Sequence, residues 1–173
     1  VDRALEQLLG GGDGDGGGLK VRMCYIEVYM EVIHDLLRAE STPQLREHPE
    51  SGTYVDGVAW RELRDLDHAR AEVRAAERRR HTALTQMNAS SSRSHSVLLL
   101  SVERDAARFA AGASGGGAVG RLYLVDLAGS ERTKRSGVTG AGFDEACSIN
   151  ASLTTLGRCV QALAAPRSGK GSG

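Results

Sequence analysis

The chain has 173 residues, with 22 Lys plus Arg against 22 Asp plus Glu, so its formal net charge is zero. That length supports one domain with a real core, and the even balance excludes a global basic field for nucleic acid and an acidic tail. Apolar residues at 40% and charged residues at 25% exclude wholesale disorder. No apolar run approaches the ~18–20 residues of a membrane span, so membrane insertion is not expected.

The start, Val1-Asp2-Arg3, has neither a charged n-region nor an apolar h-region, so no signal peptide is expected, and the missing Met suggests a piece of a longer chain. Gly-rich tracts at 10–18 and 112–117 read as flexible surface insertions. Leu19 to Tyr29 is rich in β-branched, aromatic and aliphatic residues and predicts a strand. Glu31 to Leu37 (EVIHDLL) predicts a short helix. Residues 41–60 hold Pro43, Pro49, Gly52 and Gly57 and predict turns with short strands. Leu66 to Met87 predicts a long helix, with Leu66, Ala69, Val73, Ala76, Leu84 and Met87 mostly at helical spacing and Asp65 as its cap. Ser96 to Val102 and Arg121 to Val125 are nearly continuous apolar runs, as in strands buried on both faces. Phe143 to Ala164 predicts a helix with the stripe Ile149, Leu153, Leu156, Val160 and Leu163. Residues 165–173 are expected to be a disordered tail. Strands separated by helices argue an α/β architecture over residues 1–164.

Cys24, Cys147 and Cys159 are widely spaced and form no C-x-x-C pair, and the five histidines show no H-x-x-x-H spacing. Free, mostly buried thiols in an intracellular protein are expected, with no disulfide framework and no zinc site. Glu27, inside an apolar strand, is expected to be paired or hydrogen-bonded, and Trp60 to lie in the core or at a sheet edge. The run Glu77-Arg78-Arg79-Arg80-His81 is expected to be a solvated helix end.

Two segments carry chemistry. In LYLVDLAGSE, an apolar strand ends in Asp126 and Gly129 follows three residues later. A strand-end carboxylate suits a magnesium shell, and a Gly lets a backbone N–H approach a phosphate. In NASSSRSH, residues 88–95, four serines offer hydroxyls for phosphate oxygens and metal, and Arg93 offers a cation. Together they read as the two loops of a nucleotide switch, with Arg93 and Glu131 able to pair when both close. The guanine signature N-K-x-D is absent, which argues against GTP.

NASSSRSH resembles the kinesin switch I pattern N-x-x-S-S-R-S-H, and LYLVDLAGSER resembles switch II. SINASLTTLGRCVQAL resembles the helix after switch II, CYIEVYMEVIHDLL resembles the kinesin E-x-Y-x-E-x-x-x-D-L-L segment, and ALEQLL resembles the end of the helix before it. The resemblance implies an α/β kinesin-motor-like P-loop NTPase fold, a central β-sheet flanked by helices, present in part. It implies an ATP-driven microtubule motor in the cytoplasm, on the cytoskeleton, with ATP and Mg2+ as ligands and tubulin as partner. By motif, Ser91 and Ser92 would meet γ-phosphate and water, Ser92 and Asp126 would serve the metal (Asp126 through water), and Gly129 would donate its N–H. Arg93 and Glu131 would form the closing latch, Asn88 would hold switch I, and Arg80 would lie near the nucleotide. Arg132, Lys134 and Arg135 would face acidic tubulin.

The departures are as definite. No G-x-x-x-x-G-K-[ST] occurs in these residues, and Ser168-Gly169-Lys170-Gly171 lacks both the first Gly and the Ser or Thr. Cys147 and Ala151 stand where conventional kinesin has Lys, which weakens the basic face of that helix. The expectation is therefore about the middle half of a motor domain, inactive in ATP hydrolysis by itself, with exposed strand edges and helix faces. Two alternatives stay open: a nucleotide-free kinesin-like microtubule-binding protein, and a fragment without activity. Direction of movement, cargo and dimerisation are not readable.

Overall fold

The computed structural model describes residues 1–10, 19–50, 52–86, 93–104, 119–129 and 141–164. Contacts divide the chain into two compact units, Val1–Leu127 and Ala128–Gly173. The Gly-rich tracts and the tail at 165–173 lie outside the described residues, apart from Gly10, which follows the first helix.

The first unit is an antiparallel sheet with two helices. Helix α1 (Asp2–Leu9) is followed by β1 (Leu19–Tyr29), β2 (Val32–Asp35), β3 (Gln44–His48), β4 (Gly52–Asp56) and β5 (Arg61–Leu63). Helix α2 (Leu66–Gln86) then leads to β6 (His95–Arg104) and β7 (Val119–Asp126). The main sheet runs β2-β1-β6-β7, with β5 also on β1, and β3 and β4 form a separate hairpin. All of these pairings are antiparallel. The α/β class holds as a partial one: helices and sheet are both present, but the parallel crossovers of a complete α/β sheet are not among the described residues.

One face of β1 explains the core. Val21, Met23 and Tyr25 alternate toward it, opposite Val102, Leu100 and Leu98 of β6. Leu5 of α1 and Ala69, Val73 and Ala76 of α2 close over them. The helix spacing 69, 73, 76 is the inward stripe expected from the 3.6 period. Asp65 accepts the N–H of His68 at 2.7 Å, which caps α2 as the sequence predicts. Arg70 ties α2 to α1 through Asp2 at 3.1 Å and Glu6 at 2.6 Å.

Three expectations are corrected. The segment EVIHDLL is not a helix: Met30 and Glu31 have φ of 48° and 63°, and Val32–Asp35 folds back as a strand on β1. Two consecutive residues with positive φ are the mark of a type I′ turn, whose twist suits a hairpin. β-Branched Val32 and Ile33 then pack better on a sheet than in a helix. Nor are β6 and β7 buried on both faces. β6 alternates, with Ser96, Leu98 and Leu100 buried and the residues between them half-buried. β7 is the end strand of the described sheet, and Val119, Tyr123 and Val125 are each more than half exposed. The thiols also differ: Cys24 is buried, whereas Cys147 and Cys159 are exposed.

The second unit contains helix α3 (Ala141–Ala164). Ile149 and Leu153 of its predicted stripe are half-buried, and Leu156, Val160 and Leu163 are exposed. Ser152, Thr154 and Thr155 return their hydroxyls to carbonyls of the preceding turn. No described helix is long and apolar enough to cross a membrane.

Candidate functional site

The strand register builds the site. Glu27 of β1 lies opposite Ser96 of β6, and Ser96 lies opposite Asp126 of β7. The row Glu27-Ser96-Asp126 thus continues the apolar rows Met23-Leu100-Leu122 and Tyr25-Leu98-Leu124 on the same face. On α2, Arg80 continues the stripe Ala69, Val73, Ala76 by one more turn. Two inward stripes therefore end in charge, and the charges meet.

Arg80 holds the row together. Its Nε donates to Glu27 Oε1 at 3.2 Å, and one terminal nitrogen donates to Asp126 Oδ2 at 3.2 Å. The other terminal nitrogen donates to both the carbonyl and the Oγ of Ser94, each at 3.2 Å. Ser94 Oγ in turn donates to Glu27 Oε1 at 2.6 Å. Glu27 and Ser94 are buried, and the Arg80 side chain is 11% exposed, while the Asp126 side chain is 71% exposed. One guanidinium fork thus links β1, the entry to β6 and the exit of β7, from a dry end to a wet end.

This corrects the reading of Glu77 to His81 as a solvated helix end for Arg80 alone, since Glu77, Arg78, Arg79 and His81 are exposed. Arg80 is sequestered, and Arg79 donates to the carbonyl of Leu36 at 2.8 Å. Tyr25 lies beside the row, and burial raises its phenol above the ordinary range, partly offset by a hydrogen bond with Ser96. Burial, with the Asp35 charge second, pushes the Cys24 thiol up to about 12.

Of the predicted residues, the structure brings Arg80 and Asp126 together. Arg93 is half-buried two residues before β6, next to Ser94. Gly129 falls in the second unit. Asn88, Ser91, Ser92, Glu131, Arg132, Lys134 and Arg135 lie outside the described residues. The sequence reading counted Ser94 only among the four serines of NASSSRSH, as a hydroxyl for phosphate or metal, and gave Glu27 no site role. The available signal was positional: a carboxylate and a cation each stood at the end of an apolar inward stripe, where an unpaired charge is costly.

A cavity of about 130 Å³ lies beside the clamp, lined by residues that include Glu27, His34, Asp35 and Arg79. It is below the ~300–1,000 Å³ of small-molecule pockets.

The model of the kinesin motor domain matches residues 3–170. This chain belongs to the kinesin motor domain family. It is 41% identical over 145 residues to the kinesin-like protein KIN-7F of Oryza sativa subsp. japonica, covering 83% of the chain and 15% of that protein. It is 39% identical over 154 residues to human kinesin-like protein KIF13B, covering 87% of the chain and 8% of that protein. Among solved structures, a fast kinesin superposes with a TM-score of 0.79 at 32% identity, over 94% of this chain and 46% of that one. A KIF14 dimer with AMP-PNP, in complex with a microtubule, superposes with a TM-score of 0.72 at 33% identity, over 94% and 47%. The kinesin resemblance read from the four sequence motifs is borne out. The chain spans under half of these solved chains and a small part of the relatives.

Proposed function

We propose that this kinesin-family chain is part of an ATP-driven microtubule motor, coupling ATP hydrolysis to microtubule binding and movement. The observation that carries the reading is the Arg80 clamp, which presents a solvent-facing Asp126 at the end of β7.

The residues fit a magnesium ion held with nucleotide. Mg2+ keeps several waters and takes one or two carboxylates plus substrate phosphates, not an all-protein cage. Among the described residues no three His, Cys, Asp or Glu converge as a cage. Asp126 offers one exposed carboxylate whose Oδ2 is already engaged by Arg80. A water-mediated contact suits it better than direct ligation, which would compete with the guanidinium. When bound, Mg2+ supplies neutralisation of phosphate charge. In this reading the Ser92 hydroxyl completes the metal's surroundings, and Ser91, Ser92 and the Gly129 N–H meet the γ-phosphate. Asn88 steadies switch I, and Arg93 pairs with Glu131 to close the site and hold the attacking water. Catalysis is then positioning and electrostatics.

The microtubule face is assigned to Arg132, Lys134 and Arg135, whose charge suits acidic tubulin. The likeness to a KIF14 structure in complex with a microtubule supports a microtubule partner. Its place in the cell would be on cytoplasmic microtubules. The 173 residues contain no Walker A loop, so by themselves they are expected not to turn over ATP.

The test is ATP turnover and microtubule cosedimentation, compared between these 173 residues and the full-length protein that carries them. Microtubule-stimulated turnover in the full-length protein alone supports the proposal. Microtubule binding without nucleotide binding would instead favour the nucleotide-free kinesin-like binding protein. Neither activity would leave a fragment without function.

A further inference from the structure

We infer that Glu27, acting with Ser94, is a positioning residue that sets Asp126 for Mg-nucleotide through Arg80. The inference rests on the proposed function and deepens it. Glu27 does not face solvent and is 2% exposed, so it cannot meet the ligand itself. It holds the Arg80 Nε at 3.2 Å, and Ser94, 0% exposed, holds the same Glu27 oxygen at 2.6 Å.

These two form the fixed end of the clamp. An Arg side chain has many rotamers, and its guanidinium stays at Asp126 only if something inside holds the fork. Glu27 supplies that hold, because the planar fork lets one nitrogen pair inward while another pairs outward. Two carboxylates share one guanidinium, so these three groups together carry a formal charge of minus one, with Asp126 as the exposed member.

Ser94 adds a second consequence. Its backbone carbonyl is fixed by Arg80 at 3.2 Å. The chain immediately after the predicted switch serines Ser91 and Ser92 is therefore anchored to the guanidinium that holds Asp126. One buried carboxylate thus links Ser94 and Asp126 through a single guanidinium. Stability alone is a weak reason for this arrangement, since well-packed hydrophobic residues often replace a buried ion pair without loss. Groups that orient a metal's carboxylate from behind usually change metal affinity by ~10–100-fold when replaced.

The experiment uses the full-length protein, a fluorescent ATP analogue and a Mg2+ titration, with thermal unfolding as the second readout. Two variants are compared with wild type: Glu27→Gln, and Glu27→Met combined with Arg80→Met. The expected result is a rise of ~10-fold in the Mg2+ needed for half-maximal nucleotide binding in both, with binding restored at saturating Mg2+. The double variant, which leaves no lone buried charge, is expected to keep a wild-type-like Tm. If Glu27→Gln does not fold, Ser94→Ala, which keeps Arg80 and removes the hydroxyl that holds Glu27, decides. A wild-type Mg2+ requirement in the folded variants, with only Tm altered, would overturn the inference and make Glu27 purely structural. Failure of the wild type to bind Mg-nucleotide would instead sink the functional reading, and the inference with it.

Discussion

Asp35 offers the best-determined perturbation in the molecule. Its carboxylate is 5% exposed and accepts three backbone N–H groups. Oδ1 takes Leu37 at 2.8 Å and Arg38 at 3.1 Å, and Oδ2 takes Ala59 at 2.7 Å. One side chain thus fixes the exit of β2 and joins it to the segment before β5. Asp35→Ala leaves three donors without their acceptor, two of them part-buried and one buried. At about 1–3 kcal/mol for each orphaned donor, with partial access to water, the loss should be about 4 kcal/mol. That is a large share of the ~5–15 kcal/mol of an ordinary domain. Asp35→Asn separates charge from shape. Its oxygen still serves Leu37 and Arg38, but its NH2 then faces the Ala59 N–H, donor against donor, so about half the loss is expected. The assay is urea unfolding of the full-length protein, with amide hydrogen exchange read at Leu37, Arg38 and Ala59. Exchange should quicken at all three amides in the Ala variant and chiefly at Ala59 in the Asn variant. An Ala variant within about 0.5 kcal/mol of wild type, with unchanged exchange, would refute the reasoning.

Other outcomes follow from single features. Met30→Asn with Glu31→Gly should stabilise by ~1–2 kcal/mol in urea unfolding, because both positions have positive φ, where Asn and Gly are at ease. Cys147 and Cys159 should react with a thiol reagent in the folded protein while Cys24 does not, as peptide mapping of the labelled protein would show. The buried Cys24 thiol, pushed from 9.0 up to about 12, stays protonated when folded, whereas the unfolded thiol ionises above 9. Its contribution is therefore intact below pH 9 and falls by about 1.4 kcal/mol per pH unit from there toward 12. Unfolding curves of wild type and Cys24→Ala should diverge in that window. Reversing the charges of Arg132, Lys134 and Arg135 should weaken microtubule cosedimentation and flatten its salt dependence. Salt-insensitive binding would remove the electrostatic argument.

Much of the fold was legible because its signals were local. The α2 stripe Ala69, Val73, Ala76 and the Asp65 cap read directly as a helix, and LKVRMCYIEVY as a strand. The β2 hairpin was hidden because its turn carries Met30 and Glu31 where Gly or Asn would announce positive φ. The apolar spacing of EVIHDLL fits either period, so only pairing with β1 decides it. Burial of β6 and β7 was overread because a run of apolar residues does not say what covers each face. In the site, Asp126 was legible from the strand-end pattern. The part of Glu27 and Ser94 was not, since it depends on strand register and on which turn of α2 crosses the row. The position of Arg80, four residues beyond Ala76, was the overlooked signal.

The most direct measurement of the central claim is steady-state ATP turnover by the full-length protein, with and without microtubules, for wild type and Asp126→Ala. Turnover that rises with microtubules and is lost in Asp126→Ala is the predicted result. A folded wild type that hydrolyses no ATP with microtubules present, or an Asp126→Ala variant as active as wild type, would contradict it.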